Sequence, residues 1–580
     1  MLLSNLDILA TAPGGVARLR ELILTLAVQG KLVPQDPADE PAGELLKKIR
    51  AEKDRLMAEG QIKRDKPLVA IAEDEKPFAL PVGWEWVRLG ALLNRLSNGY
   101  SGEQSKAPSP YPLSRIETIS AASVNYDRVG YCAHLSEAEI EKYRLVPGDI
   151  LLSHINSDIH LGKTALVKDD RLLIHGINLL LLRPSSFVYP EYINLAITQR
   201  RFDGYFLSIA QHAIGQASIN QSKLSATLVA LPPATEQSRI VTRVEELMRL
   251  CDALEAKGRL EAAQHAQLVS TLLGTLTASA TPDELADNWQ RVAQHFDLLL
   301  DRPAAIDALE QTLLQLAVRG LLVPQDPTDE PASALLQKIR AEKDRLIATG
   351  QIKRDKPLPP ITDEEKPFEL PVGWEWVRLG TAIEVTSSKR IHVTDYVSDG
   401  IPFFRSKEIG ELQRGQRIST EICISHEHFN KLKNLPGFPR TGDLMLTSVG
   451  SIGNTWICDG RDFYYKDGNI TKLSGLGQIN MRYLQDFIAS DLFKVQVTDT
   501  VSGTAYNALT IIKLNDISFP LPPLPEQSRI VTRVTTLRRL CADLRQRLAE
   551  RQSVQARLAE ALVANNAQTS TQQEDECHAA

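Results

Sequence analysis

The chain has 580 residues, of which 43% are apolar, room for about three or four domains with real cores. A formal net charge of −6 argues against a strongly basic nucleic-acid footprint. No run approaches the roughly 18 uncharged apolar residues that span a bilayer, and Met1–Leu9 lacks the basic start of a signal peptide, so no membrane partner and a cytoplasmic location are expected.

In chain order, the first informative segment is one that occurs twice. Residues Glu21–Gly90 and Gln311–Gly380 agree at 52 of 70 positions with a constant offset of 290, and Pro81–Gly90 and Pro371–Gly380 both read PVGWEWVRLG. Asp7, Leu9, Pro13 and Leu19 pair with Asp297, Leu299, Pro303 and Leu309 at that offset, so Asn5–Phe78 is a copy of His295–Phe368. EQSRIVTRV recurs at Glu236–Val244 and Glu526–Val534. Between these blocks, Ala91–Ala230 and Thr381–Pro520 have equal lengths and little common sequence. A repeat this long, against the roughly 20–50 residues of a solenoid, predicts two copies of one large unit. It also predicts a pseudo-twofold body carrying two differently specialised domains.

Each copy begins with a helix ending near Gly30 or Gly320, followed by the turn LVPQDP and a charged helix through KKIRAEKDRL or QKIRAEKDRL. QIKRDKP reads as extended, and LPVGWEWVRLG opens the variable domain with Trp84, Trp86, Trp374 and Trp376 alternating as strand core and edge residues. Arg50, Lys53, Arg55 and their copies Arg340, Lys343 and Arg345 read either as a solvated helix face or as an attachment surface for two copies of a partner. Each domain closes on a proline-rich stop, LPPAT or LPPLP, with Glu236 or Glu526 in the first turn of the helix that follows, where its dipole favours negative charge. Ile240, Val244, Leu247, Cys251 and Leu254 then fall at heptad spacing, as do Ile530, Val534, Leu537, Cys541, Leu544 and Leu548. Continued to about Asn565, the second helix would be a rod of about 60 Å at 1.5 Å per residue.

Catalytic and metal motifs are missing. Asn-Pro-Pro, which an adenine methyltransferase uses to hold a flipped base, does not occur. Gly162-Lys163-Thr164 supplies the end of a phosphate-binding loop, but Ser157 stands where its first glycine belongs. His154 and His160, with His134 and His175, lack ligand spacing, and six scattered cysteines without a CxxC pair indicate neither zinc nor disulfides. Cys251 and Cys541 are expected in the helical seam as small apolar residues.

The duplicated LPVGWEWVRLG, the exits LPPATEQSRIVTRV and LPPLPEQSRIVTRV, and LAVQGKLVPQDP with LAVRGLLVPQDP together resemble the specificity subunit of a type I restriction-modification enzyme. PGDILLSHINSDIHLGKTALV and TGDLMLTSVGSIGNTWIC are similar to that family's central strand motif, and the resemblance covers nearly the whole chain. It implies an α+β protein, two globular α/β target-recognition domains in pseudo-twofold arrangement joined by long antiparallel coiled-coil helices. The expected division is 1–80 helical, 81–235 first recognition domain, 236–370 central helical region, 371–525 second recognition domain, and 526–580 distal helix and polar tail. Residues Asn5–Phe78 should pack against the distal helix.

The resemblance also implies a noncatalytic chain. Each domain would read one half of a bipartite double-stranded DNA site, with two modification subunits and motor-nuclease restriction subunits as partners. S-adenosylmethionine, ATP and magnesium would sit on those partners, and this chain would hold no cofactor or metal. Summed over Asp, Glu, Lys and Arg, Ala91–Thr235 carries +1 and Thr381–Pro525 carries 0, so a partner would supply much of the phosphate attraction. Donors and acceptors for groove edges are offered in the first domain by His154, Asn156, Ser157, Lys163, Gln216, Ser218 and Asn220. In the second they are Ser448, Ser451, Asn454, Thr504, Tyr506 and Asn507, with Lys389, Arg390, Arg405 and Lys407 for phosphate or guanine. A protein-only adaptor and an enzyme with a concealed nuclease site are the alternatives.

Overall fold

The computed structural model describes residues 6–63, 67–119, 123–213, 216–279, 281–354, 356–418, 420–501 and 508–577. Side chains within the helices and strands are described except for residues 6–8, 156, 213, 216, 499–501 and 564–577. The chain divides into two compact units, one formed by 1–261 with 552–580, the other by 262–551.

Each unit starts with an entrance helix, Gly15–Val28 or Pro303–Val318, and a charged helix, Ala42–Ala58 or Ala332–Ala348. The entrance helices stop at Gly30 and Gly320, whose φ angles of 70° and 73° are left-handed. A Cβ there would lie 2.5 Å from Pro81 or Pro371, so glycine is required both for the turn and for the close approach of the PVGW segment.

The strand predicted at each entrance forms and pairs antiparallel with the strand that leaves the same domain. In the first unit these are β1 (Glu85–Arg88) and β9 (Leu228–Leu231). In the second they are β10 (Glu375–Arg378) and β15 (Ser518–Leu521). The chain therefore enters and leaves each domain through one two-stranded neck.

Immediately after the neck come the two rods, Ala234–Ala278 of 45 residues and Leu524–Cys577 of 54, longer than the heptad pattern suggested. At 1.5 Å per residue they measure about 68 and about 80 Å. The heptad positions are seam residues. Ile240, Val244, Cys251, Ile530, Val534, Cys541 and Leu548 are buried, and Leu247, Leu254, Leu537 and Leu544 pack partly buried beside them. The first unit's core takes the start of the first rod and Ala559 and Val563 of the second; the second unit's takes Val269, Leu273 and Leu276 of the first rod and Leu537–Leu548 of the second, the sharing required of antiparallel helices. Leu9 and Leu19 share that first core, and Arg18 lies 3.7 Å from Glu560, so the N-terminal stretch does pack with the distal helix.

The exit motif acts letter by letter as a clamp. Glu236 accepts the Trp84 indole N–H at 2.9 Å, and Glu526 accepts that of Trp374 at 2.9 Å. Burial raises both carboxyl pKa values, with the indole donors opposing. The expected helix-dipole role of these glutamates is thus joined by a buried tie to the domain entrance. Gln237 donates to Pro232 O and accepts from Tyr189 N, as Gln527 does with Pro522 O and Asn480 N. Arg239 and Arg529 reach back to Asp39 and Asp329, two residues past the LVPQDP turns, each at 2.6 Å. Lys53 and Lys343 donate to Gly90 O and Gly380 O, a structural use that leaves Arg50, Arg55, Arg340 and Arg345 as the exposed part of the attachment surface considered above.

Candidate nucleic-acid interface

Both domains are built on the same four-stranded antiparallel sheet. In the first its strands are β2 (Leu93–Asn98), β3 (Ile150–Ser153), β5 (Thr164–Leu166) and β6 (Leu179–Pro184), in the order β2-β6-β3-β5. In the second they are β11 (Glu384–Thr386), β12 (Leu444–Thr447), β13 (Thr455–Ile457) and β14 (Ile470–Ser474), in the order β11-β14-β12-β13. The family-like strand motifs are β3-loop-β5 and β12-loop-β13. Their runs ILLS and LMLT are buried on both faces, which explains unbroken apolar runs where a one-sided strand would alternate.

The loops after β3 and β12 are the candidate sites. In the first domain β4 (Ile155–Asn156) pairs antiparallel with β8 (Gln216–Ser218), which pairs with β7 (Gln211–Ala213). Two polar segments some sixty residues apart are thereby joined into one ribbon at the end of the sheet. The second domain makes the same junction. Val449 bridges Ala508, and Leu509 N donates to Ser448 O at 2.8 Å. Thr504, Tyr506 and Asn507 lie outside the described residues.

The candidate residues fall into distinct environments. Ser157 is exposed, and its carbonyl accepts from His160 N. Ser218 is half-buried in β8, and Asn156 and Gln216 are strand residues whose side chains are not described. Asn220 is exposed but caps the helix Gln221–Ser225 by accepting from Lys223 N at 2.8 Å. Lys163 Nζ lies 3.0 Å from His160 Nδ1, and burial with the neighbouring Arg201 charge lowers its pKa. His154 is turned inward, only 7% exposed, and burial drops its pKa to about 4, so it is neutral near pH 7.

In the second domain Ser451 is exposed, and Asn454 donates to its Oγ at 3.1 Å, which holds the loop closed on itself. Ser448 is 3% exposed, with its hydroxyl 2.7 Å from Thr471 Oγ1, so this side chain sets the loop base and does not face solvent. Arg405 and Lys407 sit at the start of the helix Ser406–Gln413, which binds the loop through Ser406 Oγ to Val449 O and Gln413 to Thr455 N. They are paired with Glu408 and Glu411 yet remain substantially exposed. Arg390 pairs with Asp467 at 2.8 Å while 73% exposed, and Lys389 N donates to Tyr464 Oη. Because β12 ends where β14 begins, with Thr447 opposite Ile470, Asp467 and its arginine lie at the same sheet end as the loop.

Some members were not legible in the sequence. Arg201 donates to Ile159 O at 3.0 Å from the end of the helix Pro190–Phe202, and no local pattern links it to the loop. Ile155 and Ile159 are 41% and 72% exposed; two isoleucines in a mostly polar loop were the available signal. Gly162 is left-handed at 72°, and a Cβ on it would meet Phe206 at 2.5 Å, so the Gly-Lys-Thr sequence serves loop packing. Among the described residues no group of three or more His, Cys, Asp or Glu is arranged to hold a metal, and no helix is long and apolar enough to cross a membrane.

Fold and site together define a protein of two dissimilar modules set on one duplicated helical frame. A family model for the type I restriction modification DNA specificity domain matches residues 371–551. The chain is 37% identical over 568 residues to the type I restriction enzyme EcoEI specificity subunit of Escherichia coli, covering 94% of this chain and 93% of that protein. It is 36% identical over 574 residues to the EcoAI specificity subunit of the same species, again covering 94% and 93%. A solved chain described as "Structural basis underlying complex assembly and conformational transition of the type I R-M system" aligns over 85% of this chain and 99% of its own at 19% identity and a TM-score of 0.47. The chain belongs to the family of type I restriction enzyme specificity subunits.

Proposed function

We propose that this chain is the DNA-recognition subunit of a type I restriction-modification complex. Its recognition domains, 81–235 and 371–525, each read one half of a bipartite, asymmetric double-stranded site. The observation that carries the reading is the convergence, in each domain, of two separate polar segments on one end of the same sheet, with different side chains on a common backbone plan. Identical supports with unlike contents are what two unlike half-sites require. Ser157, Ser218, Ser451 and Asn454 are the proposed groove-facing groups, with Asn156, Gln216, Thr504, Tyr506 and Asn507 beside them in sequence. Lys163, Lys389, Arg390, Arg405 and Lys407 supply phosphate or guanine contacts, and His154, Asn220 and Ser448 position the backbone.

Readers on one face of a duplex sit about 34–36 Å apart or a multiple of that, and rods of about 68 and 80 Å are long enough to fix such a gap. The chain itself is noncatalytic in this reading. The duplicated helical frame docks two modification subunits, which carry S-adenosylmethionine, and the restriction subunits bring ATP, magnesium and cleavage. Sequencing methyladenine in cells that express this chain with its modification subunit tests the proposal. The expected result is one split, asymmetric motif that changes in one half only when residues 91–230 are exchanged. No new methylation from an assembled complex would refute it.

A further inference from the structure

The two copies carry nearly the same apolar seam but opposite charges along it. Where the entrance helix meets the rod, Leu19 and Leu24 correspond to Leu309 and Leu314, and Ile240, Val244 and Cys251 to Ile530, Val534 and Cys541; all ten are buried. These contacts cannot tell one rod from the other. The flanking charges can. In the first unit the basic member is on the entrance helix, where Arg20 lies 2.7 Å from Asp252 and 3.3 Å from Glu255 of the first rod. Its counterpart at the 290-residue offset is Glu310, and in the second unit the basic members are on the rod. Arg538 lies 3.0 Å from Glu310, and Arg545 lies 2.6 Å from Glu310 and 2.7 Å from Asp307. Arg545 is the counterpart of Glu255, and Arg538 that of Met248, whose sulfur lies 3.8 Å from Arg20. Arg538 is also held by the buried Asp486 at 2.6 Å.

We infer that this inversion is a recognition key that assigns each entrance helix to its own rod. Placed on the second rod, the first entrance helix would set Arg20 among Arg538 and Arg545. Placed on the first rod, the second would set Asp307 and Glu310 against Asp252 and Glu255. Either exchange buries the same apolar side chains and turns these ion pairs into repulsions. A chain built by duplication faces this hazard both within itself and between two molecules, because each half presents the other's seam. Partly exposed ion pairs of this kind contribute little stability singly, so their use lies in discrimination. The consequence is that each recognition domain stays on its own rod and half-sites are read in a fixed order.

The test uses the full chain. Arg20→Glu/Asp252→Arg/Glu255→Arg re-forms the first unit's ion pairs with the second unit's polarity, so local attraction is retained and discrimination is lost. The variant should melt close to the parent. When it is refolded from urea at low salt as a mixture of two differently tagged chains, co-purification of the tags should rise about threefold or more, the factor corresponding to under one kcal/mol per pair. Co-purification equal to the parent's would overturn the inference and leave the charges as local stabilisers. Should the variant not fold, the parent decides the matter. Refolding in about 1 M salt, where the screening length falls to about 3 Å, should increase tag exchange, and an unchanged level would overturn the inference.

Discussion

The two units differ in a way that separates frame from contents. Their frames superpose chemically: indole to carboxylate at 2.9 Å in both, Arg239–Asp39 and Arg529–Asp329 at 2.6 Å in both, and Arg88–Glu75 and Arg378–Glu365 at 2.7 and 2.8 Å. Their contents do not. Beyond the common sheet, the first domain has the strand pair Tyr111–Leu113 and Gly130–Cys132. The second has a four-stranded sheet containing Ile401–Phe404 and Tyr464–Tyr465. Polar groups that satisfy one another hold the frame against change, since removing one leaves its partners short of a hydrogen bond. Apolar contents can be exchanged wherever volume and pattern are kept.

The largest expected contrast between the units is in pH dependence. Burial pushes the imidazoles of His154 and His175 in the first unit down to about 4, and pushes the Asp486 carboxyl in the second up to about 6. A histidine with a depressed folded pKa contributes stability that is present above about pH 6.5 and is lost as pH falls toward 4. A carboxyl with a raised folded pKa contributes stability below about pH 4 that is lost as pH rises through 6. Acidifying from 6.5 to 4 should therefore cost the first unit roughly 3 kcal/mol per histidine while the Asp486 contribution moves the second unit the other way. Calorimetry across that range should show the two transitions shifting apart; parallel shifts would break the comparison.

Trp84→Ala and Trp374→Ala should each cost about 3–5 kcal/mol and lower one transition apiece, which also assigns the transitions to units. Unequal losses would mean that the frames are less alike than their distances. Gly162→Ala should be worse than Gly453→Ala. Both have left-handed φ, 72° and 95°, at a strain of about 1–2 kcal/mol, but only Gly162 would also drive a Cβ against Phe206. Urea midpoints of the two variants measure the difference. The smallest effects on stability should come from the proposed interface. Lys407→Ala is expected to reduce the slope of log affinity against log salt by about 1 without changing the site. Ser451→Ala/Asn454→Ala is expected to relax the methylated motif in the half read by the second domain alone, with unfolding near that of the parent.

Much of the frame was legible because its signals are local. The entrance strands, the proline stops and the heptad residues Ile240, Val244 and Cys251 sit where spacing put them. Rod length was underestimated because the tail of the second helix carries few apolar markers. The candidate site was legible as two polar segments per domain but not as an interface. His154 and Ser448 have the composition of contact residues and the environment of core residues. Asn220 reads as a base contact and is a helix cap.

By itself, then, the sequence determined the duplication, the order of repeated and unrepeated blocks, the rods and which stretches vary, because each depends on residue period or on identity at a fixed offset. Tertiary structure alone decided that β4 meets β8, that Arg201 supports Ile159, that Glu236 holds Trp84, and that Arg20 faces acids while its counterpart Glu310 faces arginines. Those pairings join residues from 42 to 235 positions apart, and at such separations only the closure of the fold determines which donor finds which acceptor.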